Sequence, residues 1–410
     1  MKRYFLGMAA GYSGRDIWRH TFAVGFRRDC RELKKYLRKH YGDGDNTRVV
    51  LCKNGRSALC LALKAYFQPG DAVIVNGFTC YAVYEAIRAA GLTPIWADIS
   101  REDLNFDLNA LNAKLDASFA SSLAPVVTGL ASSIAPVVAN AHESSNSRAR
   151  IHGIIIQNSL GNPVDIEKIE ALAKKHGLVM IEDLAHSAGV RYADGREAGT
   201  VGAAAVFSFG KDKAIDTVSG GAVVLRHPCK HEVEAPSKPP KLSDHLRARF
   251  YPLLGRICRG LTGVHLGGVL MRCLLAIHWV ERSADNKLDL DRKMSKFEAK
   301  LALRQLRELR RTGKNGGRGP IRDFYLVRDR GEVLKKLKQA GYYFDGFWYE
   351  KPVSPKRYYR RVHFPEESCP NAVAVAEQII NLPTYYSGAD LAPARKIIES
   401  YLIEKGGERE

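Results

Sequence analysis

The chain is poor in the features that would tie it to an oxidising compartment, a metal or a membrane span. Its eight cysteines, at 30, 52, 60, 80, 229, 258, 273 and 369, are scattered through 410 residues and include no C-x-x-C pair, so they read as reduced cytosolic thiols. The first eleven residues lack the apolar core and cleavage site of a signal peptide, an expectation that agrees with a cytoplasmic protein. No run reaches the ~18 to 20 uncharged apolar residues of a spanning helix. The nearest approach, 251–280, is interrupted by Arg256, Arg259, His265, Arg272 and His278, a pattern that lies on a surface rather than passing through it. Zinc-finger spacings and RNA-binding aromatic motifs are also missing, which puts nucleic acid last among partners for a basic chain.

What is scarce in one region is negative charge. The formal charge is +19, and residues 226–361 hold 32 Lys+Arg against 14 Asp+Glu, so nearly all of the excess sits in that third. A regional positive field attracts anionic lipid or a phosphorylated small molecule, unless it is simply a set of solvated helix faces. At 45% hydrophobic residues, the chain can bury a large domain and a smaller one.

The text divides into four stretches. Residues 1–48 read as an N-terminal helical arm: Ile17, Trp18, Phe22, Leu33 and Leu37 recur at helical spacing among basic residues up to Gly42. Residues 49–225 alternate apolar strands with helix patterns. Strands are predicted at 72–76, 94–97, 151–157 and 179–182 and helices at 57–66, 81–90, 108–115 and 166–176, which is the signature of a mainly parallel sheet with helices on both faces. An Ala/Ser/Val-rich insertion occupies about 118–150. Residues 226–290 form a basic and apolar insertion that begins irregularly at 227–246. Residues 291–410 read as a linking helix over 294–309, a Gly-rich break at 312–320, and a small C-terminal α+β domain with helices at 331–340, 372–380 and 391–402.

The chemistry gathers around 206–225. An apolar strand ends at Ser208, a polar loop carries Lys211 and Lys213, and Gly220-Gly221 leads into a second apolar strand. A lysine beside buried strands is hard to desolvate while charged, so its pKa falls and its amine becomes a nucleophile fit for a Schiff base. Taken alone, the same segment reads as a solvated lysine pair in a hairpin. Two further stretches point to one cofactor. Asn54-Gly55-Arg56-Ser57 opens a helix whose N–H groups and dipole suit a phosphate, or is a glycine turn with Ser57 as N-cap. Glu182-Asp183-Leu184-Ala185-His186 closes a buried strand, where open α/β sheets bind ligands. An Asp there can pair with a protonated pyridine nitrogen. Neighbours on a strand face opposite ways; Asp183 is assigned to the cofactor and Glu182 to structure, with His186 either beside the ring or a satisfied structural histidine.

In this order the residues resemble the DegT/StrS family of pyridoxal-phosphate-dependent nucleotide-sugar aminotransferases. The resemblance rests on Gly55-Arg56-Ser57-Ala58-Leu59, Glu182-Asp183-Leu184-Ala185-His186, Phe207-Ser208-Phe209-Gly210-Lys211-Asp212-Lys213 and Gly220-Gly221. Pro69-Gly70-Asp71, Gly161-Asn162-Pro163, Met294-Ser295 with Gln305-Leu306, and Leu382-Pro383 add to it. It implies a fold-type I aminotransferase with a seven-stranded-type sheet. Counting five residues from Ser208, it implies Lys213 rather than Lys211 as the Schiff-base lysine. It also implies Asp183 on the pyridine nitrogen, His186 near the ring hydroxyl, and Ser208 with Gly55, Arg56 and Ser57 on the phosphate of pyridoxal 5'-phosphate. Three positions depart from the family pattern: Cys80 stands where an aromatic residue stacks on the ring, leaving Cys80, Tyr81 or Phe78 to fill that role; Arg56 replaces a common Thr; and Asp291 replaces an Asn that reaches the neighbouring subunit's phosphate.

The implied activity is transfer of an amino group from glutamate to a nucleotide-linked keto sugar, in polysaccharide or glycoconjugate biosynthesis, by a cytoplasmic homodimer. Peripheral membrane contact through the basic helices is an added expectation. The alternative is a non-catalytic, regulatory protein of the same fold, tethered to a membrane or a sugar-assembly complex.

Overall fold

The structure is a computed structural model that describes residues 4–5, 11–128, 150–226, 228–261, 266–282, 285–312, 321–344, 348–384 and 388–405. Its centre is a seven-stranded sheet built from β1 (Arg48–Cys52), β2 (Ala72–Asn76), β3 (Thr93–Ala97), β4 (Ile151–Gln157), β5 (Val179–Asp183), β6 (Ala204–Ser208) and β7 (Gly221–Leu225), in the order β1-β7-β6-β5-β4-β2-β3. All pairings are parallel except those of β7, which runs antiparallel to both β1 and β6.

Strand periodicity explains how one sheet supports two cores. On β4, Ile155 faces one apolar cluster, whereas Ile154 and Ile156 face the other. On β2, Val73 and Val75 join the first and Ile74 the second. Helices α3 (Gly55–Tyr66) and α4 (Tyr81–Ala89) cover the first face. The second is covered by α2 (Arg27–Tyr41), α5 (Leu108–Thr128), α6 (Ile166–His176) and α9 (Lys296–Thr312). In the N-terminal stretch α1 (Gly14–Phe22) is capped by Ser13, and α2 ends at Gly42 as its pattern requires. Leu33, Leu37 and Tyr41 of α2 are buried against α9 and the sheet, so this helix belongs to the core of the large unit.

Beyond β7 the irregular stretch is shorter than the composition suggests. Helix α7 (Leu242–Gly260) begins at Leu242 and pairs with α8 (Leu266–Ala276) as a helical hairpin. The C-terminal unit has a three-stranded antiparallel sheet with β8 (Arg322–Val327) between β9 (Ile379–Pro383) and β10 (Leu402–Lys405), packed by α10 (Arg330–Gln339) and α12 (Gly388–Glu399). The helix predicted over 372–380 is α11 (Pro370–Gln378); Ile379 and Ile380 belong to β9. Pairing of these β-branched residues with Leu326 and Tyr325 of β8 overrides the helical reading. Likewise α12 ends at Glu399 and Leu402 opens β10. Helix α5 runs well past Leu115, and 129–149 of the predicted insertion lie outside the described residues, as do 313–320 of the Gly-rich break.

Candidate active site

The carboxyl ends of β4, β5 and β6 and the first turn of α3 converge on a cavity of about 180 Å³, the position where a parallel sheet offers strand ends and helix N-termini together. Its wall includes Gly55, Arg56, Cys80, Asp183, His186, Ser208 and Lys213. The lysine register is visible in the contacts. Lys213 Nζ lies 2.9 Å from His186 Nε2 and 4.9 Å from the centre of the Trp348 ring. Lys211, half-buried like Lys213, turns the other way, donating to the Glu281 carbonyl and sitting 4.2 Å over the Tyr251 ring.

Burial is the main electrostatic force here. It lowers the pKa of the Lys213 amine, against the opposing pull of Cys80, Asp183 and Asp212. It lowers His186 well below 6.5, reinforced by Lys213 and Arg322. The Leu160 N–H donates to His186 Nδ1 at 3.3 Å. A neutral imidazole that accepts at Nδ1 carries its proton on Nε2, the nitrogen that lies against the Lys213 amine. Desolvation brings Lys211 down as well, to about 8, so a lowered pKa alone does not separate the two lysines; their contacts do.

Asp183 is held by the Ala185 N–H on Oδ1 at 3.0 Å and by Gln157 Nε2 on Oδ2 at 3.2 Å, and burial raises its carboxyl. Glu182, its neighbour, faces the opposite way and accepts from the Tyr192 hydroxyl and the N–H groups of Gly199, Val201 and Gly202. Four donors to one fully buried carboxylate make it a structural clamp.

At the other end of the cavity, Gly55 is dictated by close approach. A Cβ there would stand 2.5 Å from the Ser208 Cβ and 2.7 Å from its Oγ, so only glycine lets the helix start against the strand end. Arg56 lines the cavity and is ion-paired with Glu85. Ser57 is not on the wall. Asn54, not Ser57, caps α3 by accepting the Ser57 N–H at 2.9 Å, and the Ser57 hydroxyl accepts the Asp289 N–H at 3.0 Å. Of the three residues open for ring stacking, Cys80 lines the cavity. Tyr81 stacks instead on Tyr358 at 4.6 Å, and buried Phe78 packs on Tyr349 at 4.5 Å. Asp291 pairs with Lys238 at 2.6 Å on the surface.

Several residues around the cavity carry no local sequence signal. Tyr349 reaches it from the C-terminal unit, and Trp348 stacks on His186 at 5.2 Å, with Arg322 4.3 Å from the Trp348 ring centre. Arg247, Tyr251, Trp279 and Arg282 come from the α7–α8 hairpin and the residues after it. Asp216 organises the lysine loop: its carboxylate accepts the N–H groups of Asp212 and Val218, each at 2.8 Å, and the Tyr12 hydroxyl at 2.5 Å. Asp212 and Val218 have φ of 59° and 73°, left-handed conformations that a β-branched valine adopts only when its surroundings impose them.

A parallel-centred sheet with a half-buried lysine after its strand ends, an acid one strand away and a helix N-terminus opposite defines a fold-type I aminotransferase fold. The comparisons agree. Residues 27–237 match the model of the DegT/DnrJ/EryC1/StrS aminotransferase family, and the chain belongs to that family. It is 29% identical over 195 residues to a pleiotropic regulatory protein of Geobacillus stearothermophilus, covering 47% of this chain and 42% of that one. It is 33% identical over 177 residues to a UDP-N-acetyl-3-dehydro-alpha-D-glucosamine 3-aminotransferase of Acidithiobacillus ferrooxidans, covering 43% and 39%. The chain thus spans about two fifths of the length of these curated relatives. A DegT DnrJ EryC1 StrS aminotransferase from Brucella abortus superposes with a TM-score of 0.59 at 18% identity, over 95% of this chain and 94% of that one.

Pyridoxal phosphate is the cofactor of this family, and the residues present fit it. A buried carboxyl raised by its dry surroundings, as Asp183 is, suits a protonated ring nitrogen, whose charge would draw it back to the ionised form. A helix N-terminus beside a serine hydroxyl and an arginine suits a phosphate.

Proposed function

We propose that the protein transfers an amino group from glutamate to a keto sugar carried on a nucleotide, in polysaccharide or glycoconjugate biosynthesis. The observation that carries this reading is the Lys213 amine 2.9 Å from His186 Nε2, on the same cavity wall as Asp183 and Ser208. Bound pyridoxal phosphate supplies an electron sink that stabilises negative charge at the carbon bearing the amino group. Lys213 Nζ would hold the cofactor and, as a free amine, would move a proton to and from that carbon. Asp183 would hold a proton on the ring nitrogen. His186 orients the Lys213 amine, with Trp348 fixing the imidazole plane, and Ser208, Gly55 and Arg56 hold the phosphate. Cys80 offers a polarisable face to the ring where an aromatic would stand.

The sugar half of the proposal is supported by the Acidithiobacillus relative, whose name records amino transfer at a nucleotide sugar. Homodimerisation in the cytoplasm, with the basic helices in contact with a membrane, belongs to the same reading. A second reading, a regulatory protein that keeps the fold and cofactor, is favoured by the Geobacillus relative's name and by Asp291, whose surface pairing with Lys238 differs from the cross-subunit role the resemblance implies. Absorbance separates the two. The purified protein is expected to show the visible cofactor band, and glutamate to bleach it; a band indifferent to every amino donor would favour regulation.

A further inference from the structure

We propose that the outer face of the α7–α8 hairpin docks on an anionic lipid membrane, its helices lying in the plane of the surface. Between His245 and Val280 the chain has five arginines, three histidines and no carboxylate. Helix α8 buries Gly267, Met271 and Leu274, the last two in the cluster it shares with α7. It also presents Leu266, Val269, Cys273 and Ala276 to solvent at spacings of three and four, with Leu266 56% and Val269 46% exposed. A helix on the surface of a globular protein has one apolar face; this one has two. Ile257, near the end of α7, and Ile277, just past α8, are 43% and 69% exposed, and Arg256 and Arg272 are exposed on the same helices. Helix α1 packs on α7 and adds the touching rings of Trp18 and Phe22, 64% and 62% exposed.

Charge decides between occupants. Asp244 and Glu281 flank this stretch and pair with Arg247; a two-fold pairing of copies would set the patch against itself, bringing Arg256 and Arg272 together with no carboxylate between residues 245 and 280 to offset them. An anionic bilayer neutralises the arginines while its acyl boundary takes up the apolar stripe. Among the described residues no helix is long and apolar enough to cross a membrane, so the contact is in-plane. One consequence rests on the aminotransferase reading: Trp279 and Arg282, exposed and also on the cavity wall, would put the rim of the active site at the lipid surface.

The test is sedimentation of the full-length, cofactor-loaded protein with vesicles of phosphatidylcholine, with or without phosphatidylglycerol. It is expected to pellet with the anionic vesicles at low salt and to be released at high salt. Arg256→Gln/Arg272→Gln is expected to weaken partition roughly tenfold or more. Leu266→Ser/Val269→Ser is expected to weaken it with the charge intact, melting temperature and visible band being unchanged in both variants. Protein left in the supernatant at low salt, or binding neutral vesicles equally well, overturns the proposal. Self-association that Leu266→Ser/Val269→Ser abolishes, without vesicle binding, assigns the face to a second copy and also overturns it. Sedimentation does not depend on turnover, so a protein that pellets but ignores every amino donor sinks the aminotransferase reading alone.

Discussion

Burial pushes the Asp216 carboxyl up to about 7 from an ordinary 3.8, with nearby Asp212 adding to the rise. A carboxyl that holds its proton more tightly when folded stabilises the fold at low pH, and that contribution is lost as pH rises from about 4 towards 7. Asp216→Asn cannot titrate. Melting temperatures measured from pH 5 to 7 should therefore fall for the natural protein relative to the variant, with no further divergence above 7. Parallel curves would mean that the carboxyl titrates normally. Histidines such as His186, whose lowered pKa acts in the opposite sense, cancel in the comparison. The lysines give a second residue-scale prediction: Lys213→Ala should abolish borohydride trapping of the cofactor and Lys211→Ala should leave it, while the reverse result would move the reactive amine to Lys211. The family resemblance, counted from Ser208, singles out Lys213, yet its partner Trp348 and the Asp216 brace were invisible in it. They approach from 135 residues away in one case, and through a loop conformation in the other, neither of which local periodicity encodes.

At the scale of elements, the junction of β6 with α3 is the most constrained part of the site. Gly55→Ala puts a methyl carbon into the space of the Ser208 side chain. Overpacking of this kind typically costs about 1 to 3 kcal/mol, and here it should also loosen the phosphate end, giving a lower melting temperature and weaker retention of the visible band on dialysis. Unchanged values for both would show that the helix start can shift freely. The helix itself is legible over 57–66, but its cap is not: Asn54 rather than Ser57 is the N-cap, accepting the Ser57 N–H. Nor is it legible which hydroxyl faces the cavity, since both Ser57 and Ser208 are small polar residues at element ends. The Asp289 N–H claims one and leaves the other on the wall.

At the scale of the whole molecule, positive charge and exposed apolar surface fall on the same helical hairpin, which also lines one side of the candidate cavity. Architecture and surface chemistry are thereby coupled, so whatever covers the hairpin bears on access to Lys213. By itself the sequence determined the sheet, because strands buried on both faces write continuous apolar runs such as Ile154-Ile155-Ile156. It also determined the order of the lysine loop, the acid and the phosphate helix, because strand ends and helix starts carry local signals. Only the tertiary structure decided what completes the cavity: Tyr349 from the C-terminal unit, Tyr251 and Trp279 from the hairpin, and Cys80 in place of its aromatic neighbours. The physical reason is that periodicity reports which side of an element is buried. The identity of the group it is buried against depends on packing between segments far apart in the chain.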